Sequence, residues 1–313
     1  MARTGSVPTV NHRPSGSVLA ADPLARVAAL PGVREAADTA RAAVDTLLRH
    51  RVLRRQSAEV TAEASLRAAR ACAALEGHEI SLDQLRGMLS AAGDPPQAPT
   101  DQAAVPAGGP DPTVLGTVRL YAELGMLAPA WERAPRQALA RMHVLLGRGV
   151  LPDEELGRPR ADAGTRPPSD PLRLGPPPSS MEASVRLDGL TGLLVAPTTA
   201  PAIIVAAVVH GELLALRPFG VLDGVIARAA ARLVLISRGL DPKALTATDV
   251  GHLEIGQEAA APDHEAVLDY RAAADAYVHG GAEGVIAWLR HCSRALELAA
   301  RDSLAVCEAI ARA

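Results

Sequence analysis

Apolar positions recur with a helical period over most of the chain, and helix punctuation cuts them into segments. Asp22-Pro23 reads as an N-cap followed by proline at the first helical position. Residues 34–56 and 57–76 predict two long alanine-rich helices, the second carrying Ala62, Leu66, Ala69, Ala73 and Leu75 at helical spacing. Gly77 stands where a left-handed C-terminal residue belongs, and Ser81 caps a short helix through Leu89. Further helices are predicted at 112–125, 131–148, 199–216, 221–238, 245–258, 264–277, 283–300 and 303–312. The stretch 183–195 breaks the period: its glycines and β-branched residues predict a short hairpin or flap.

These segments predict a nearly all-α protein with one short β-hairpin flap and no internal repeat. Residues 1–20 form a Pro, Ser and Gly-rich tail expected to be disordered, and 21–92 an N-terminal helical region. A linker at 93–111 leads to helices within 112–155. A second Pro, Gly and Arg-rich stretch, 156–180, is expected to be mobile or PPII-like, as a linker or as a lid. Residues 181–313 make up the helical core.

Composition narrows the possibilities. With 313 residues the chain can bury a large core, and 48% hydrophobic but only 2% aromatic content builds it from Ala, Leu and Val. The formal charge of -3, from 32 basic and 35 acidic residues, calls for neither a nucleic-acid partner nor an anionic membrane. There is no apolar leader at the N-terminus, and the longest apolar run, Ala202–Val209, is too short to span a bilayer. The three cysteines at 72, 292 and 307 form no C-x-x-C and no even set, so the cytoplasm is the expected compartment. High Ala, Arg, Gly and Pro usage points to a GC-rich, bacterial genome.

The most informative stretch is 210–239, in which an apolar helix meets Arg217-Pro218-Phe219, then a glycine-punctuated loop, then an arginine-bearing helix. Proline stops the first helix, and Phe219, the only phenylalanine, can anchor the turn. A glycine loop at a helix N-terminus offers N–H groups and a favourable dipole to an anion such as phosphate, although many helices start after glycine without binding one. The arrangement resembles the Fic family signature H-P-F-x-[D/E]-G-N-G-R-x-x-R, whose members typically transfer AMP from ATP to protein hydroxyls. Arg217 occupies the place of the family's catalytic histidine, and a guanidinium cannot act as a base. Val221 replaces the acidic Mg²⁺ ligand, Leu222-Asp223-Gly224 replaces Gly-Asn-Gly, and Val225 replaces the first motif arginine. Arg228 matches the second arginine, with Arg232 one turn further along.

Upstream, Cys72-Ala73-Ala74-Leu75-Glu76-Gly77 resembles the inhibitory-helix pattern [S/T]-x-x-x-E-[G/N], with Cys72 at the hydroxyl position. In the family that glutamate pairs with the second motif arginine and blocks the ATP γ-phosphate. The resemblance therefore implies an inhibitory or structural pair between Glu76 and Arg228, and nucleotide contacts at Gly224, Arg228 and Arg232. It implies ATP as ligand, while Val221 has no oxygen for Mg²⁺. No residue is assigned as catalytic.

Other candidates have ordinary readings. His210 is either a substitute base or a packing histidine two turns before Arg217. His252 and Glu254 with Asp263-His264-Glu265 fit no recognised zinc spacing, so no metal is assigned. His291-Cys292 reads as packing, and Arg49–Arg55 as a solvated helix face. The expected protein is a catalytically degenerate Fic relative acting through a nucleotide or a protein partner. The alternatives are an active nucleotidyl or phosphoryl transferase with a rebuilt site, and a structural interaction protein without a ligand. Oligomeric state is left open.

Overall fold

The computed structural model describes residues 22–91, 111–162, 166–259 and 268–312. The expected tail 1–20, nearly all of the linker and Asp263-His264-Glu265 lie outside the described residues. Thirteen α-helices are described: α1 (Pro23–Ala28), α2 (Val33–Leu48), α3 (Ser57–Leu75), α4 (Leu82–Ala91), α5 (Pro112–Glu123), α6 (Ala128–Arg133) and α7 (Pro135–Gly147). They continue with α8 (Ser180–Val195), α9 (Ala202–Leu216), α10 (Asp223–Ser237), α11 (Thr248–Ala259), α12 (Tyr270–His279) and α13 (Gly281–Arg312). Among the described residues there is no strand, only an isolated bridge between Arg148 and Leu151. No described helix is long and apolar enough to cross a membrane.

The α9–α10 hairpin forms the centre. Eleven of the 15 residues of α9 are buried, so it is apolar on every side, which requires neighbours all round. Those neighbours include α10, α13, α8 and α12. The long α13 carries Trp288, Leu289, Leu296 and Ala299 inward and packs on α2, α11 and α12. A second layer, α3 with α5, closes against α11. The cores of both layers consist mainly of alanine, leucine and valine, with Trp288 the largest fully buried side chain.

Local rules account for most helix ends. Asp22 caps α1 through the Ala25 N–H at 3.0 Å, and Asp111 caps α5 through Thr113 at 2.8 Å. Gly77 adopts φ +90° after α3, the left-handed value its position requires. Ser81 and Gln84 bond each other's backbone reciprocally at the start of α4.

Several expectations are corrected. Residues 183–195 are not a hairpin but most of α8; Ser179 accepts from the Glu182 N–H at 3.2 Å, an N-cap that outweighs Gly189 and Gly192. The spans 283–300 and 303–312 are one continuous α13, because no glycine or proline separates them. The span 34–56 stops at Leu48 and continues as a short 3₁₀ turn over Arg51–Arg54. Pro135 splits 131–148 into α6 and α7. The described parts of 156–180 run in contact with the α9–α10 loop.

Four histidines lie in the core: His143, His210, His252 and His291. Burial lowers the pKa of each, to about 4 for His143 and His291 and well below the ordinary value for the other two. The unfolded chain binds these protons from about pH 6.5 downward while the folded chain does not, so acid favours unfolding. Stability should therefore fall as pH drops from about 6.5 towards 4. Urea midpoints at neutral and mildly acid pH test this; a flat profile would contradict burial of neutral rings.

Candidate functional site

The loop between α9 and α10 is bounded by two strained residues. Arg217 ends α9 at φ 43° and Leu222 precedes α10 at φ 63°, both in the left-handed region that non-glycine residues enter at a cost of about 1–2 kcal/mol. Pro218 prevents further helix, and Phe219 drops into the core, stacked on the His143 ring at 4.3 Å between centroids. Asp223 then holds the turn: its Oδ1 accepts the Phe219 N–H at 3.0 Å. Its other oxygen is buried without a partner in the protein. Burial pushes the Asp223 pKa up to about 7, against hydrogen bonds from the loop backbone and the charges of Arg217 and Arg160.

Arg217 does not face an open cleft. Its guanidinium donates to the carbonyls of Ser169 and Gly175 and pairs with Asp170 at 3.3 Å. Asp170 in turn accepts from the Leu174 and Gly175 N–H groups at 2.8 and 2.9 Å. Arg160 also reaches the loop, donating to the Arg217 carbonyl at 2.9 Å. The backbone follows: Arg160 N–H donates to the Pro218 carbonyl at 2.9 Å and Ser169 N–H to the Gly220 carbonyl at 2.6 Å. This Pro-rich strap is thus fastened over the loop by both backbone and guanidinium bonds.

The inner side of the loop is filled as well. Glu76 caps the C-terminal end of α3, an unfavourable place for a carboxylate in its own helix dipole, but it faces the favourable N-terminal turn of α10. A Cβ placed on Gly224 would lie 2.2 Å from Glu76 Oε1, so only glycine admits the carboxylate there. Arg228 Nη2 donates to the same oxygen at 2.6 Å. The Arg228 side chain is wholly buried and also meets Asp249 at 3.4 Å, the Tyr270 hydroxyl at 3.2 Å and Cys72 Sγ at 3.2 Å. Three helices, α3, α11 and α12, therefore converge on one guanidinium from α10.

Of the residues singled out in the sequence, Glu76, Gly224 and Arg228 come together. Arg217 sits at the outer side of the loop, and Arg232 stacks over Tyr121 at 4.9 Å while donating to the Ala244 carbonyl. His210 turns inward to the Tyr270 hydroxyl at 2.8 Å. It joins a ring cluster with His252 and Trp288. His252 and His291 hydrogen-bond each other at 3.0 Å. Among the described residues no group of three or more His, Cys, Asp or Glu is placed to hold a metal ion.

Solved structures share this architecture. A Fic family protein from Desulfovibrio desulfuricans G20 aligns with a TM-score of 0.61 at 16% identity, over 87% of this chain and 74% of that one. This chain has the Fic fold. Fic-1 of C. elegans (amino acids 134 to 508) aligns with a TM-score of 0.57, also at 16% identity, over 92% of this chain and 75% of that one. No protein-family model and no curated protein matches the sequence. Within this Fic fold, sequence reasoning missed Asp249, Tyr270, Arg160 and Asp170. Asp249 reads as an ordinary acidic residue in a first helical turn, and Arg160 and Asp170 are hidden in a Pro-rich stretch.

Glu76→Ala leaves Arg228 with Asp249 as its remaining carboxylate, and removal of one partner of a buried pair should cost about 3 kcal/mol or more. Thermal or urea unfolding checks it, and an unchanged transition would rule out a structural pair. For Asp223, the folded state keeps its proton to about pH 7 while the unfolded chain releases it near 4. Its contribution is fully present below pH 4 and is lost as pH rises towards 7. Asp223→Asn should therefore gain stability relative to the parent as pH increases across that window; a constant difference would contradict the raised pKa.

Proposed function

We propose that this Fic-fold protein is catalytically degenerate and acts through binding, not through transfer of AMP. The observation that carries this reading is the double closure of the α9–α10 loop. Glu76 stands against Gly224 on the inner side, and the strap holds Arg217 on the outer side.

Each element needed for the transfer is absent or engaged. Arg217 has no acceptor lone pair to take a hydroxyl proton; loss of a positioned base typically removes about 10²–10⁴ in rate. His210 is no ready substitute, being 2% exposed and bonded to Tyr270 away from the loop. Mg²⁺ does not fit, since the Val221 side chain offers no oxygen and the Asp223 carboxylate is buried under the loop with its Oδ1 on the Phe219 N–H. ATP does not fit the closed form either: the Arg228 guanidinium is already engaged and Glu76 fills the first turn of α10. A nucleotide can enter only if Glu76 withdraws. The closed geometry therefore favours a protein partner over a nucleotide as the ligand of the folded resting form.

Calorimetry with ATP and Mg²⁺, together with an assay for α-phosphate-labelled AMP transfer, tests the reading on the parent and on folded Glu76→Gly protein. The parent should give no saturable binding, and neither protein should transfer label. Transfer above background would overturn the reading in favour of a rebuilt transferase. Saturable ATP binding by Glu76→Gly alone would identify the nucleotide as the ligand of an opened form.

A further inference from the structure

At the far end of the α9–α10 hairpin, away from the loop, a cavity of about 480 Å³ runs along one flank of α2. Its α2 wall is formed by Arg34, Asp38, Arg41 and Asp45, and its opposite wall includes Thr199 and Arg238. The four α2 residues follow a spacing of four, three and four, which places them in one stripe along the helix. Arg34, Asp38 and Arg41 are exposed and Asp45 partly so. The loose Arg41–Asp45 contact within α2, 3.9 Å long and largely exposed, contributes little by itself.

The order of charges in this stripe is antisymmetric about its midpoint, between Thr39 and Ala40. Arg34 and Asp45 are equally distant from that point and opposite in sign, as are Asp38 and Arg41. Two copies of α2 related by a two-fold axis through the midpoint would set Arg34 against the second copy's Asp45, and Asp38 against the second copy's Arg41. The symmetry repeats both contacts, giving four opposite-charge pairs. A parallel arrangement in the same register would bring like charges together. The groove beside the stripe provides room for the ridge of the second α2, as in ridge-into-groove helix packing. Arg238, whose guanidinium donates to the Leu194 carbonyl, adds a cation on the far wall for an incoming acidic residue.

We propose that α2 and its adjoining groove form an isologous interface for a second copy of this chain, with the two α2 helices antiparallel. The interface lies about 20 Å from the α9–α10 loop, the length of those 15-residue helices, so both loops stay free in the dimer. Its polar character makes the dimer reversible and sensitive to salt.

Sedimentation velocity over a wide concentration range, at low and high salt, tests the proposal on the full chain. The parent should show a dimer fraction that rises with concentration and falls with salt. Asp38→Arg and Arg41→Asp should each weaken dimerisation roughly tenfold or more, because each converts two symmetry-related attractions into repulsions. Combining them in one chain restores opposite charges across the axis and should recover the dimer. Circular dichroism melting confirms that these surface variants remain folded. A parent that stays monomeric, single variants that dimerise like the parent, or a double variant that fails to recover would each overturn the proposal.

Discussion

The buried guanidinium of Arg228 organises this protein. Arg228 projects from α10 into a space closed by α3, α11 and α12, and its side chain has no solvent exposure. A cation in such a place must be paired and hydrogen-bonded or its desolvation would cost several kcal/mol. Glu76, Asp249, Tyr270 and Cys72 meet that demand. The Asp249 carboxylate also accepts the Tyr121 hydroxyl at 2.8 Å, which draws α5 into the same network. The polar groups are specific about geometry in a way that alanine and leucine contacts are not, so they set the register in which the helical layers meet.

The functional reading depends on the same constraint. A carboxylate at the end of α3 can satisfy Arg228 only by lying against the first turn of α10, and that position requires glycine at 224. The inner half of the loop is therefore filled as a consequence of how the layers are joined. The outer half is governed by a separate set of bonds, in which Arg217 fastens to the strap carbonyls and Asp170. An arginine at 217 thus has a structural role in this chain: it fastens the loop to the strap. The strain at Arg217 and Leu222 is tolerated because the strap, Phe219 and Asp223 together over-determine the loop.

Much of this was legible in the residues. Arg217-Pro218-Phe219, Gly224 and Arg228, with Glu76 before Gly77, carried the resemblance that led to the fold, and the Glu76–Arg228 pair is present at 2.6 Å. The helix announced by an N-cap and proline at Asp22-Pro23 starts where it was expected. The failure at 183–195 came from weighing Gly189 and Gly192 above the Ser179 N-cap and the packing of Ala183, Leu187 and Leu190 into the core. The strap was illegible for a different reason. Its contacts join Arg160 and Ser169 to residues about fifty positions away through backbone carbonyls, and backbone partners leave no trace in side-chain identity. Asp249 and Tyr270 were hidden likewise, since each looks ordinary until a third helix brings Arg228 to it.

The most direct test of the central claim is a double-mutant cycle on Glu76→Ala and Arg228→Met, read as equilibrium unfolding free energy. If Arg228 joins the layers through Glu76, the coupling energy should be about 2 kcal/mol or more, at the upper part of the range for residues in one network. A coupling within about 0.5 kcal/mol of zero would mean that the two residues act independently, and the account of a polar core closing this site would be wrong.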